Sequence, residues 1–173
     1  MPFKDLDSFR AALHEPSPES AKATRPLVLV VDDDANVRAS LELVLSSRYR
    51  VRTCANAAEG VAAVEDEVAT VILDVKMTGA DGFVAYKAMR EKDIDLPIIF
   101  YSAYQDIKDP YEIINEYRPF GYITKGADYG ALLRSVGAAV EQRARAIRHR
   151  GLISELGNIQ AQMEALRKRM ADH

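Results

Sequence analysis

Five times between Leu27 and Lys125, a short run of apolar, β-type residues is followed by apolar residues at helical spacing. The runs are Leu27–Val31, Val51–Cys54, Val68–Leu73, Pro97–Tyr101 and Phe120–Thr124. The first is continuously apolar, as in a strand buried on both faces. After it, Val37, Leu41, Val44 and Leu45 recur with helical periodicity. Further helices are expected over Ala57–Asp66, over Gly82–Arg90 and near Asp109–Tyr117, with a long one starting near Asp128. This alternation predicts an α/β fold: a doubly wound, five-stranded parallel sheet with right-handed crossovers and an extended C-terminal helix.

Four of the runs end on polar residues: Asp32-Asp33-Asp34, Asp74, Ser102 and Lys125. The C-terminal edge of a doubly wound sheet is where sites form. Singly, each residue has an ordinary reading. Asp34 suits an N-cap, Ser102 a loop hydrogen bond and Lys125 a surface charge. Together they place carboxylates, a hydroxyl and an ammonium on one edge. Such carboxylates suit Mg²⁺, which takes oxygen ligands and shares its shell with phosphate oxygens. A neighbouring carboxylate can attack a phosphoryl group, with the ammonium neutralising charge on it.

Composition supports a globular chain: 48% of the 173 residues are hydrophobic and 28% are charged. No apolar run approaches the ~20 residues needed to span a bilayer. The N-terminus has no apolar signal segment, and Cys54 is the sole cysteine, so a cytoplasmic location is expected. Residues 1–25 read as a leader or linker, with Phe9 and Leu13 on one face of a possible short helix before Pro16 and Pro18.

The unit from 26 to 140 is followed by a helical tail over 141–173. Leu152, Leu156, Ile159, Met163, Leu166 and Met170 alternate in steps of four and three, an a/d seam suited to a coiled-coil homodimer or to folding back on the domain. Residues 131–173 have a net charge of +4 against −7 for the remainder. Arg143, Arg145, Arg148, His149 and Arg150 are expected to form a solvated face or to meet a protein partner. No aromatics are interleaved with them, so nucleic-acid binding is not indicated. His14, His149 and His173 are not spaced as a ligand cluster and read as surface residues.

The pattern resembles the receiver domain of two-component response regulators over residues 26–140. The matching segments are Val30-Val31-Asp32-Asp33, Val71-Ile72-Leu73-Asp74-Val75-Lys76-Met77 with Asp81-Gly82, Tyr101-Ser102-Ala103, and Gly121-Tyr122-Ile123-Thr124-Lys125. The resemblance implies a flavodoxin-like (βα)5 fold and a switch phosphorylated on Asp74 by a sensor histidine kinase, with Lys125 and Ser102 assisting. It implies Mg²⁺ held by Asp33, Asp74 and the Lys76 backbone carbonyl, with Asp32 acting through water. Ser102 and Tyr122 would form the switching pair, and Lys76 and Tyr104 would tune dephosphorylation. The face built from the fourth helix, fifth strand and fifth helix would carry the output, to the coiled coil or to a downstream protein effector. Tyr104, Tyr111, Tyr117 and Tyr122 enrich that face or fill the core.

Two positions depart from the family pattern, each replacing a usual proline: Thr78, expected to loosen its loop, and Gly126. In relatives the bond after the lysine is usually cis. Two other readings stand beside the receiver. One is a constitutive coiled-coil scaffold that does not signal by phosphorylation. The other is a phosphohydrolase of the haloacid dehalogenase type, built on Asp32-x-Asp34.

Overall fold

The computed structural model describes residues 25–78, 80–103 and 110–171. Five parallel strands form the sheet: β1 (Leu27–Val31), β2 (Arg50–Cys54), β3 (Val68–Asp74), β4 (Ile98–Ser102) and β5 (Gly121–Thr124). Their spatial order is β2-β1-β3-β4-β5. The helices are α1 (Ala35–Leu45), α2 (Ala57–Ala62), α3 (Gly82–Lys92), α4 (Pro110–Tyr117) and α5 (Tyr129–Ala171). A short antiparallel ribbon, Lys76–Met77 with Ala80–Asp81, follows β3. The periodicity of the sequence did not indicate it, because two-residue strands carry no period.

Alternation along the strands divides the core. Val28, Val30, Ile72 and Ile99 pack with Leu41 and Leu45 of α1 and with Leu132 and Val136 of α5. Leu29, Val31, Leu73 and Phe100 pack on the opposite face with Ala85 and Met89 of α3. Successive side chains of a strand point to opposite faces, so a strand between two helical layers is apolar throughout. That is why β1 reads as an unbroken apolar run.

Several boundaries moved. The second helix ends at Ala62 rather than Asp66, because Val64 turns into the core and the Val68 N–H bonds to the Glu65 carbonyl at 3.0 Å. Tyr117 joins the core: its ring stacks on Phe83 with centroids 4.4 Å apart, and the Tyr86 hydroxyl donates to its carbonyl at 2.6 Å. Tyr122 is half-buried against the same core.

The terminal helix is continuous from Tyr129 to Ala171, crossing residues 140–141 and Gly151 without a break. The expectation of a solvated basic face fails at Arg143, which is only 2% exposed and ion-paired with Asp93. Helical phase places it on the core side, in line with Val136 and Ala139. Further on, Leu152, Leu156, Ile159, Met163 and Met170 are all exposed. The helix therefore does not fold its seam back onto the domain. The Leu166 side chain lies outside the described residues, as does the leader, residues 1–24.

Candidate functional site

Sheet register assembles the site. Val31 pairs with Leu73, so Asp32 emerges beside Asp74, and Ser102 pairs with Thr124, so Lys125 follows immediately. The Lys125 N–H donates to the Ser102 carbonyl at 2.7 Å, extending the β4–β5 ladder past the last paired residue. The chain leaves β1 for β2 on one side and returns to β3 on the other, so the acidic residues sit where the strand order reverses.

Asp32 and Asp74 are buried, and Asp33 is half-buried. One oxygen of each lies within 4.8 Å of the others. Lys125 Nζ stands 2.8 Å from Asp32 Oδ2 and 2.7 Å from Asp74 Oδ2. The Lys76 N–H donates to Asp74 Oδ1 at 3.1 Å, and the Thr78 N–H to Asp33 Oδ2 at 2.6 Å. Asp32 Oδ1 accepts from the Asp34 N–H at 2.9 Å. Asp34 itself caps α1, accepting from the Asn36 N–H at 2.8 Å, and stays out of the cluster.

Electrostatics follow from these contacts. Burial raises the Asp74 carboxyl above its usual range, only partly offset by Lys125 and the Lys76 amide. The Thr78 side chain and backbone N–H hold the Asp33 carboxyl below its usual range. Burial disfavours the Lys125 ammonium, but Asp32 and Asp74 outweigh it and raise its pKa.

The donor set fits a hard divalent cation. Three carboxylates face one ammonium, and Asp32 Oδ2 is buried without a well-aligned hydrogen bond even though Lys125 is close. An all-oxygen cluster with an under-satisfied carboxylate oxygen suits Mg²⁺ rather than a soft metal.

Ser102 is fully buried at the end of β4. Lys76 is exposed, and Tyr104 lies outside the described residues. Thr78 behaves differently from the sequence expectation. Thr78 ties its loop to Asp33 rather than loosening it, because a threonine has the N–H that a proline lacks. Gly126 adopts φ +83°, a conformation closed to proline, and there is no cis peptide bond among the described residues. Sequence reasoning missed Thr78 as a partner of Asp33. Its signal was a hydrogen-bonding residue where the pattern lacks a donor.

Comparison with known proteins agrees with this geometry. The model of the response regulator receiver domain family matches residues 28–137. Among curated proteins, the transcriptional regulatory protein PrrA of Mycobacterium tuberculosis is 40% identical over 88 residues, covering 50% of this chain and 38% of that protein. TdiR of Thauera aromatica, also a transcriptional regulatory protein, is 33% identical over 153 residues, covering 83% of this chain and 66% of its own. The chain thus spans about two fifths of PrrA's length. Among solved structures, a CheY-like receiver domain from Methanospirillum hungatei superposes with a TM-score of 0.63 at 22% identity, covering 71% of this chain and 99% of its own.

Proposed function

Because the chain belongs to the response regulator receiver family, we propose that it is a phosphorylation switch, with Asp74 as phosphoacceptor and a sensor histidine kinase as donor. The observation that carries this reading is the buried Asp32–Lys125–Asp74 contact beside Asp33 at the strand-order reversal. Asp74 is the nucleophile. One of its carboxylate oxygens attacks phosphorus, the bond from phosphorus to the donor breaks, and an acyl phosphate remains on the chain. Lys125, already held by both carboxylates, is in place to bond a phosphoryl oxygen without prior rearrangement of its loop.

Asp33, Asp74 and the Lys76 carbonyl would hold Mg²⁺, with Asp32 acting through water. The bound ion would supply charge neutralisation for the incoming group. The Ser102 hydroxyl moves to the phosphoryl group and Tyr122 swings inward, altering the face formed by α4, β5 and α5. Lys76 and Tyr104 steer the hydrolytic water and so set the lifetime of the acyl phosphate.

The terminal helix is the route for output. Its exposed Leu152, Leu156, Ile159, Met163 and Met170 suit pairing with the same segment of a second copy, in a cytoplasmic homodimer that presents the signal to a downstream effector. Among the described residues, no helix is long and apolar enough to cross a membrane. That PrrA and TdiR are transcriptional regulators supports transcription as the eventual output.

The test is incubation of the full chain with Mg²⁺ and acetyl phosphate, read by intact mass and by borohydride trapping of the acyl phosphate. One added phosphoryl group, mapped to Asp74 and absent from Asp74→Ala, supports the switch. No phosphoryl group on the parent would move the scaffold reading ahead. Turnover of a generic phosphate ester would favour the phosphohydrolase, a reading that the capping role of Asp34 already weakens.

A further inference from the structure

Asp33 differs from the other two carboxylates of the cluster. The sheet buries Asp32 and Asp74, whereas Asp33 is half-buried, so packing alone leaves its side chain less constrained. Thr78 makes up the difference. Its backbone N–H reaches Asp33 Oδ2 at 2.6 Å. Thr78 directly follows the ribbon strand Lys76–Met77, which is paired to Asp81 and Ala80, so its amide is carried on a braced segment.

We infer that Thr78 is a positioning residue for the cation site. Its backbone N–H holds Asp33 with one oxygen in reach of Asp32 and Asp74, and in this way it sets the affinity for a divalent cation. The inference rests on reading the Asp32, Asp33 and Asp74 cluster as a Mg²⁺ site. A ligand carboxylate fixed in advance loses less rotamer freedom on binding. Partners that orient ligands in this way are typically worth about 10- to 100-fold in metal affinity. The backbone donor makes the device specific: substitutions that keep the N–H keep the tie, and proline removes it.

The experiment is calorimetric titration of the metal-free full chain with MgCl₂, for the parent, Thr78→Ser, Thr78→Val, Thr78→Pro and Asp33→Asn. It is joined to amide NMR spectra of the same proteins before any metal is added. Thr78→Ser and Thr78→Val are expected to bind like the parent, and Thr78→Pro about 10-fold more weakly or worse. In the metal-free parent the Thr78 amide should be protected from exchange, and Asp33→Asn should weaken that protection while strand amides stay unmoved. Equal Mg²⁺ affinities across the Thr78 series would overturn the inference and leave the metal site standing. Absence of Mg²⁺ uptake by the parent would overturn the metal-site reading and the inference with it. The Thr78 amide would still report whether the tie to Asp33 exists.

Discussion

Buried Arg143 of α5 and part-buried Asp93, the C-cap residue of α3, form an ion pair linking helices on opposite faces of the sheet. Arg150 adds a more exposed contact 3.3 Å from Asp95. The pair fastens α5 to the domain before the helix becomes exposed. It thus fixes the direction in which the seam leaves the core. Arg143→Ala would leave the part-buried Asp93 without its hydrogen-bonded guanidinium and with Arg150 3.9 Å away, an effect of about 1.5–3 kcal/mol on folding stability by urea denaturation. Arg143→Met combined with Asp93→Asn should recover most of the loss. A single Arg143→Ala change costing under ~1 kcal/mol would show the pair to be structurally idle.

The same pair predicts an acid response. Burial alone would raise the Asp93 carboxyl, but the Arg143 hydrogen bond, the Asp95 amide and the nearby guanidinium charges outweigh it and hold the pKa below its usual value. A depressed carboxyl contributes its full stability above the unfolded value near ~3.9, and loses it as pH falls through the folded value. The stability gap between parent and Asp93→Asn should therefore close on acidification below about pH 4. A gap that stayed constant down to acid unfolding would contradict this.

Asp74 has the opposite sign. Burial raises its carboxyl, so the folded state holds a proton more tightly than the unfolded chain. Stability from this group is present below the unfolded pKa and is lost as pH rises through the folded value. Asp74→Asn removes the burden of a buried charge and is expected to raise the melting temperature at pH 7, with a smaller gain in acid. Mg²⁺ should stabilise the parent by about 2.7 kcal/mol at a hundredfold excess over Kd and Asp74→Asn far less, which thermal melts with and without the ion would reveal.

Lys125→Met deletes the ammonium between Asp32 and Asp74. Loss of one preorganised charge at a transferring group typically slows the step by roughly 10²–10³-fold. Phosphorylation kinetics with acetyl phosphate should show a slowing of that order while Mg²⁺ still binds. A parent-like rate would remove Lys125 from the chemistry.

Gly82 starts α3 where the helix presses on the C-terminal end of β3. A Cβ there would stand 2.3 Å from the Asp74 carbonyl oxygen and 2.7 Å from Val75 Cα, both backbone atoms. The Gly82 N–H already bonds to the Val75 carbonyl at 3.0 Å. Gly82→Ala is expected to cost about 1–3 kcal/mol as an overpacked site. It should also lower Mg²⁺ affinity, because the displaced backbone carries Asp74. Unchanged stability and affinity would mean the backbone yields freely at this point.

The exposed seam makes its own prediction. Leu156→Glu and Ile159→Glu place charge in the centre of the a/d register and should convert a dimer to a monomer by light scattering, without altering Mg²⁺ binding at the distant sheet edge. A parent that is monomeric throughout the micromolar range would exclude self-pairing as the output.

How much of this was legible in the residue order depended on the range of the interaction. The five strands, the order of helices and the four polar strand ends could be read directly, because local periodicity follows burial and a parallel sheet sends its C-terminal ends to one edge. The resemblance of Asp32, Asp33, Asp74, Ser102 and Lys125 to a known constellation supplied their roles. The two-residue ribbon after β3, the core placement of Tyr117 and the end of α2 could not be read, since each is settled by contact with distant residues rather than by its neighbours.

The sequence by itself determined which faces are apolar, which residues end the strands and where the terminal helix carries its a/d seam. Only the tertiary structure decided that Arg143 lies inside against Asp93 and that Thr78 bonds to Asp33 across 45 residues. The reason is physical. Hydrophobic periodicity is a property of nearest turns and alternate residues, whereas a hydrogen bond or ion pair forms wherever folding brings complementary charges within about 3 Å, however far apart they lie in the chain.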